Sequence, residues 1–329
     1  MLNRVLFYNS GGGIGDSIQL LPLIESIRSE FKDAKFFYLG AHTNHFDSSL
    51  KDLNCKIKTL DMGVKYFGFR WWHTLIVKRN IKKQSVESFD LVIDLQSKLR
   101  NTLILRLIPH KHFVSSCLDF KLSKPKINVR KEKKNNSTML NAINFLFKKN
   151  CKLIDFDTSK IDKKFFSEAE RLLPKNNYVG LSITQGNVYR KKQWPLKNVE
   201  QVCAKLNQNN KIPVFLIEKN NNDLVNEIKS LIPYALFPEQ ESSLASPTLV
   251  VCLAKKLDFA ISIDNGIMHM LSLAKIPMIT LFGPTDSEKF APDYDRCIVL
   301  DSKKIYNTKN LSAINVEDVL QAAKQFVNF

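Results

Sequence analysis

The chain has 329 residues, 44% hydrophobic and 25% charged, enough for two ordinary globular domains, and no apolar run reaches the ~20 residues of a membrane span. Six cysteines (Cys55, Cys117, Cys151, Cys203, Cys252, Cys297) show no C-x-x-C spacing, which argues against a disulfide framework and for reduced thiols in a cytoplasmic protein. The net charge of +17 is lopsided: residues 1–160 hold 28 Lys and Arg against 14 Asp and Glu, and residues 161–329 hold 21 against 18, so an anionic partner is expected on the first half.

The chain opens on a predicted strand, Arg4–Tyr8, which the glycines behind it make too short for a signal peptide. Ile18, Leu21, Ile24 and Ile27 then set a helical stripe over Asp16–Phe31. Strands are predicted at Lys35–Leu39 and Leu91–Leu95, helices at Lys98–Leu107 and Thr138–Lys149, and a mobile basic loop at Lys121–Ser137. Between them, Tyr66–Lys83 interleaves Phe67, Phe69, Trp71 and Trp72 with Arg70, Lys78, Arg79, Lys82 and Lys83. That pattern fits either core aromatics with solvated lysines or a surface for an anionic lipid.

A linker is expected near Asp155–Lys175, dividing a domain of residues 1–160 from one of residues 161–329. The second half alternates strands (Tyr178–Ile183, Ile212–Ile217, Phe259–Ile263, Met278–Phe282) with helices (Leu196–Asn207, Asp223–Leu231, Leu244–Lys256, Met268–Ala274, Val316–Val327). Such alternation implies an α/β protein with mostly parallel sheets.

Two loops stand where α/β proteins bind polar ligands, between a strand and a helix. The first is Gly11-Gly12-Gly13-Ile14-Gly15-Asp16. Asp16 replaces the last glycine of a dinucleotide fingerprint, and a carboxylate there repels a pyrophosphate. It is either a helix-terminal cap or a proton acceptor. The second loop is Asp264-Asn265-Gly266-Ile267-Met268-His269. Asn265 and Gly266 open a helix whose backbone N–H groups can hold a diphosphate.

Four ordered blocks resemble glycosyltransferase family 9, the ADP-heptose:lipopolysaccharide heptosyltransferases. They are Gly15-Asp16 with Pro22 and Phe31; Asp90-Leu91-Val92-Ile93-Asp94-Leu95-Gln96 with Arg100; Lys192-Gln193-Trp194-Pro195; and Asp264-x-Gly266-x-Met268-His269 with Phe282-Gly283-Pro284-Thr285-Asp286. The resemblance implies a GT-B fold, two Rossmann-like domains facing a central cleft, with acceptor on the first and nucleotide-sugar on the second. It implies an inverting, metal-independent transfer of heptose from ADP-heptose to an anionic lipopolysaccharide inner-core acceptor, with Asp16 as catalytic base and no cofactor. It places Thr184, Gln185, Lys192, Asp264, Asn265, Gly266 and His269 at the donor, with Lys192 on phosphate, and Gly13, Gly15, Arg70 and Arg100 at the acceptor. Asn265 stands where the family has Thr or Ser, and Glu218 is a candidate for the ribose.

Such an enzyme is expected in the cytoplasm or peripherally on the inner face of the cytoplasmic membrane. The D-x-D runs Asp155–Asp157 and Asp293–Asp295 are of a kind frequent by chance and fall in the linker and a C-terminal loop, and the pairs His42/His45 and His110/His112 lack further ligands, so no metal is expected. The alternatives are a family relative with another nucleotide-sugar and a non-catalytic basic nucleic-acid-binding protein. The latter leaves the Asp16 and Asp264 loops unexplained and has no recognition motif, so no nucleic-acid partner is expected.

Overall fold

The structure is a computed structural model and describes residues 2–9, 13–40, 45–64, 68–184 and 192–327. The chain divides into two compact units, Met1–Asp157 and Thr158–Phe329.

Unit 1 contains β1 (Arg4–Tyr8), α1 (Ile14–Ile18), α2 (Leu21–Glu30), β2 (Lys35–Leu39), β3 (Ile57–Thr59), α3 (His73–Lys83), β4 (Phe89–Asp94), α4 (Leu99–Leu105), β5 (His110–Ser115) and α5 (Asn135–Phe147). Its sheet is parallel throughout, in the order β3-β2-β1-β4-β5. β4 is buried at every residue, as a central strand covered on both faces must be. Leu6, Tyr8, Phe69, Val77, Val92, Ile104 and Phe113 share one core on one side of it.

The single helix expected over Asp16–Phe31 is two helices. Pro22 has no N–H and its ring crowds the carbonyl four residues back, so the helix restarts with the proline in its first turn, where it is tolerated. The basic segment after β5 is tied down rather than loose. Phe113 and Lys124 exchange an antiparallel bridge, Ile127 is buried, and Lys131 pairs with Asp119 at 2.6 Å.

Unit 2 contains α6 (Lys163–Leu172), β6 (Tyr178–Ser182), α7 (Leu196–Gln208), β7 (Ile212–Phe215), α8 (Asn222–Leu231), α9 (Pro247–Ala254), β8 (Leu257–Ile263), α10 (Gly266–Leu273), β9 (Met278–Phe282), α11 (Ser287–Phe290), β10 (Cys297–Asp301), α12 (Ser302–Tyr306) and α13 (Val316–Ala323). Its sheet is also parallel, in the order β10-β9-β8-β6-β7, and Leu236 adds a parallel bridge outside β7. α6 occupies the second half of the stretch expected as linker. Asp162 caps it by accepting the Lys164 N–H, and only Phe165 and Ala169 face inward, too sparse a stripe to read among its charges.

Trp194 of the K-x-W-P block is a core residue, its indole N–H donating to Ile314 O at 2.8 Å. Gly283 permits a close approach: a Cβ there would lie 2.9 Å from Lys309 O. Among the described residues no helix is long and apolar enough to cross a membrane.

Candidate functional site

Open parallel sheets bind ligands beyond the carboxyl ends of their strands, where the strand order reverses. In unit 1 that point lies between β1 and β4, and in unit 2 between β6 and β8. The start of α1, with Gly13, Gly15 and Asp16, follows β1 at the first of these points, and Asp264 and Asn265 follow β8 at the second.

In unit 2, β8 delivers Asp264 and Asn265, and β6 delivers Thr184. Asn265 is a three-way clasp. Its Oδ1 accepts the Met268 N–H at 2.9 Å and caps α10, while Nδ2 donates to Ser182 Oγ and Thr184 O, each at 2.8 Å. The clasp welds the ends of β6 and β8 together and fixes the first turn of α10, with Gly266 and Ile267 ahead of the capped N–H. The Lys192 ammonium donates to the Asp264 carbonyl at 2.9 Å and to Asp264 Oδ2. Both side chains are about nine-tenths buried. His269 is buried one turn further along α10. Gln185, with Gly186, Asn187, Arg190 and Lys191, lies outside the described residues. Asp286 caps α11 from the Gly283-Pro284-Thr285 turn.

In unit 1, Gly13, Gly15 and Asp16 form the start of α1, and Asp16 is half-buried. Gly13 lacks a side-chain cap, and another residue braces the turn. Asn9, directly after β1, donates from Nδ2 to Asp16 O at 3.2 Å and accepts from Gln96 Nε2 through its Oδ1. Two amides in series thus tie the turn carrying Asp16 to the ends of β1 and β4. Tyr38 is pushed up to about 12 by burial, with the Asp16 charge adding to it against a hydrogen bond from Ser17, so it stays a neutral phenol.

Asp90 and Asp94 of the second block serve the fold. Asp90 accepts the Asn3 and Arg4 N–H groups and pairs with Lys111 at 2.7 Å. Asp94 accepts from the Gln96 and Ser97 N–H groups and the Thr102 and Ser115 hydroxyls. Arg100 is half-buried on α4 and Arg70 is exposed ahead of α3. The charges of both bear on the His73 imidazole.

Sequence reasoning missed Asn9, Ser182, His73 and Asn101. Asn9 and Ser182 carry a readable signal, a polar residue ending an apolar strand at a switch point. Among the described residues no three His, Cys, Asp or Glu side chains gather where a metal ion could be held.

Beyond β7 the exposed Glu218 lies beside Glu239, which is only 5% exposed. Burial first, and the Glu218 charge second, push Glu239 up to about 8 against a hydrogen bond from the Ile217 N–H. The unfolded chain releases this proton near 4.5 and the folded protein keeps it to about 8, so stability falls as pH rises through that window. The slope is roughly 1.4 kcal/mol per pH unit. Glu239→Gln should therefore gain Tm over the wild type progressively from pH 5 to pH 8. A Tm difference independent of pH would mean that Glu239 is not held neutral.

The family model for glycosyltransferase family 9 (heptosyltransferase) matches residues 77–320. The chain belongs to glycosyltransferase family 9. This family 9 glycosyltransferase is 22% identical over 291 residues to lipooligosaccharide heptosyltransferase 2 of Campylobacter jejuni, covering 85% of this chain and 81% of that protein. Its fold matches the glycosyl transferase family 9 protein from Veillonella parvula with a TM-score of 0.71 at 17% identity, over 98% and 97% of the two chains. It matches E. coli heptosyltransferase WaaC with ADP-2-deoxy-2-fluoro heptose with a TM-score of 0.68 at 16% identity, over 98% and 100%. The fold is GT-B, built from two Rossmann-like domains.

Proposed function

We propose that this family 9 glycosyltransferase transfers a heptose from ADP-heptose, with inversion, to an anionic lipopolysaccharide inner-core acceptor at the inner face of the cytoplasmic membrane. Unit 1 takes the acceptor and unit 2 the nucleotide-sugar. The observation that carries the donor half is the Lys192–Asp264 pair beside the Asn265-capped start of α10, a cation and a helix N-terminus at the switch point of one sheet.

Asp16 accepts the proton of the acceptor hydroxyl as its oxygen attacks the anomeric carbon. The bond from that carbon to the diphosphate oxygen breaks on the opposite face, and ADP departs. Lys192 and the first N–H groups of α10 meet the charge that develops on the leaving diphosphate. Asp264 keeps the Lys192 ammonium in place before the donor arrives. Thr184, Gln185, Asn265, Gly266 and His269 line the donor, with Gly13, Gly15, Arg70 and Arg100 on the acceptor.

Calorimetry with ADP tests the donor half. Lys192→Ala should weaken ADP binding by about 10-fold or more, since charge-assisted hydrogen bonds are worth ~1.5–3 kcal/mol. Lys191→Ala should cost less. A larger loss for Lys191→Ala would shift the phosphate contact by one residue, and unchanged binding in both would remove this loop from the donor site.

A further inference from the structure

Arg70 and Arg100 stand on different elements, one ahead of α3 and the other in the first turn of α4. The backbone that carries Arg70 is fixed by two side chains. Asn101, next to Arg100 on α4, accepts the Phe69 N–H through Oδ1 at 3.1 Å. His73 accepts the Arg70 N–H through Nδ1 at 3.0 Å. Each of these holders is 1% exposed. The Phe69 ring is stacked on Tyr8 of β1 with centroids 5.0 Å apart, so the short loop is anchored from three elements.

Accepting at Nδ1 requires a neutral imidazole with its proton on Nε2. Burial first, and then the charges of Arg70 and Arg100, hold the His73 pKa below its ordinary value, which keeps Nδ1 an acceptor at neutral pH. A protonated ring would turn Nδ1 into a donor and set it against the Arg70 N–H. Two guanidinium charges therefore bear on one neutral ring. The Nε of Arg100 is buried and has no hydrogen-bond partner among the described residues, an orphan donor of the kind an anionic oxygen satisfies.

We propose that His73, with Asn101, is a positioning residue that presets Arg70 beside Arg100 as a clamp for an oxyanion of the acceptor, without touching the acceptor itself. This rests on the reading of unit 1 as the acceptor domain. The clamp binds a phosphate or a carboxylate, groups whose paired oxygens match the arginine fork. Fixing the loop before the acceptor arrives removes an ordering cost from binding, so its loss should appear in acceptor KM.

Steady-state kinetics on the full-length protein, varying acceptor and donor separately, make the test. His73→Leu should raise acceptor KM about 10-fold, as expected for leaving one buried donor unmade, with donor KM and kcat unchanged. His73→Asn places an amide oxygen close to the Nδ1 position and should restore most of the loss. If His73→Leu does not fold, Asn101→Ser, which frees the Phe69 N–H from the other side, should give the same split. Repeating the series with phosphatase-treated acceptor identifies the anion. A phosphate clamp makes the treated acceptor insensitive to His73→Leu, and a carboxylate clamp leaves it sensitive.

Wild-type acceptor KM in folded His73→Leu, or equal losses in His73→Leu and His73→Asn, would overturn the positioning role. Wild-type acceptor KM in both Arg70→Gln and Arg100→Gln would overturn the acceptor reading itself. Raised KM in those two with no effect of His73→Leu would leave that reading standing and remove only His73.

Discussion

Asp16→Asn should lower turnover by ~10²–10⁴-fold, the usual cost of removing a well-placed general base, with ADP affinity close to that of the wild type. The substitution keeps the size and polarity of the side chain and removes its ability to take a proton. It also spares the brace around it, because Asn9 bonds the backbone carbonyl of residue 16 rather than its carboxylate. A folding or capping defect would lower stability and donor binding together. Loss of the base would lower kcat alone. Rapid-quench kinetics with saturating donor separates the two, and wild-type turnover in Asp16→Asn would reduce Asp16 to a helix-terminal acid.

The second large effect is expected at the start of α3. Trp71 and Trp72 are each 58% exposed and Leu75 is 73% exposed, so these side chains stand outside the core, whereas Phe69 and Val77 pack within it. Residues 71, 75, 78 and 82 recur at helical spacing along one exposed stripe that is apolar at its first turn and cationic after it. Aromatic side chains favour the headgroup level, and each basic side chain near an anionic surface contributes ~1 kcal/mol.

Replacing Lys78, Arg79, Lys82 and Lys83 with Gln should thus reduce binding to anionic vesicles by a factor on the order of 10²–10³ and raise the KM for vesicle-borne acceptor. ADP affinity should not change. Raised salt should act like the substitution on the wild type, because exposed charges are screened over ~8 Å at physiological ionic strength. Trp71→Ser with Trp72→Ser should weaken vesicle binding in a way that salt does not mimic. Vesicle binding that survives both variants would remove α3 from the membrane side of the protein.

What could be read from the sequence follows from how each segment is buried. β1, β2 and β9 occupy the residues their compact apolar runs predict, because parallel strands covered on both faces leave little polar signal to blur their ends. β3, β5 and β10 escaped notice. Each lies toward a sheet edge, and His110–Ser115 and Cys297–Asp301 are only partly buried and carry polar residues. The stretch through α3 stayed open between core and surface because aromatic residues serve either, and only tertiary structure separates Phe69 from Trp71 and Trp72.

The starts of α1 and α10 were legible because glycine in one case and a capping Asn in the other follow an apolar strand. Their supports were not. The link from Gln96 through Asn9 to the Asp16 turn joins positions 87 residues apart, and the Lys192–Asp264 pair joins positions 72 apart. No local period records contacts of that range.

The most direct test of the central claim is a transfer assay with purified protein, an inner-core acceptor in anionic vesicles, and ADP-heptose, UDP-sugar or GDP-sugar donors supplied singly in the presence of chelator. The acceptor product is read by mass spectrometry and its new glycosidic bond by NMR. The account predicts one heptose added from ADP-heptose alone, with the anomeric configuration inverted and no requirement for added metal. Transfer from a different nucleotide-sugar with none from ADP-heptose, or retention of configuration, would contradict it.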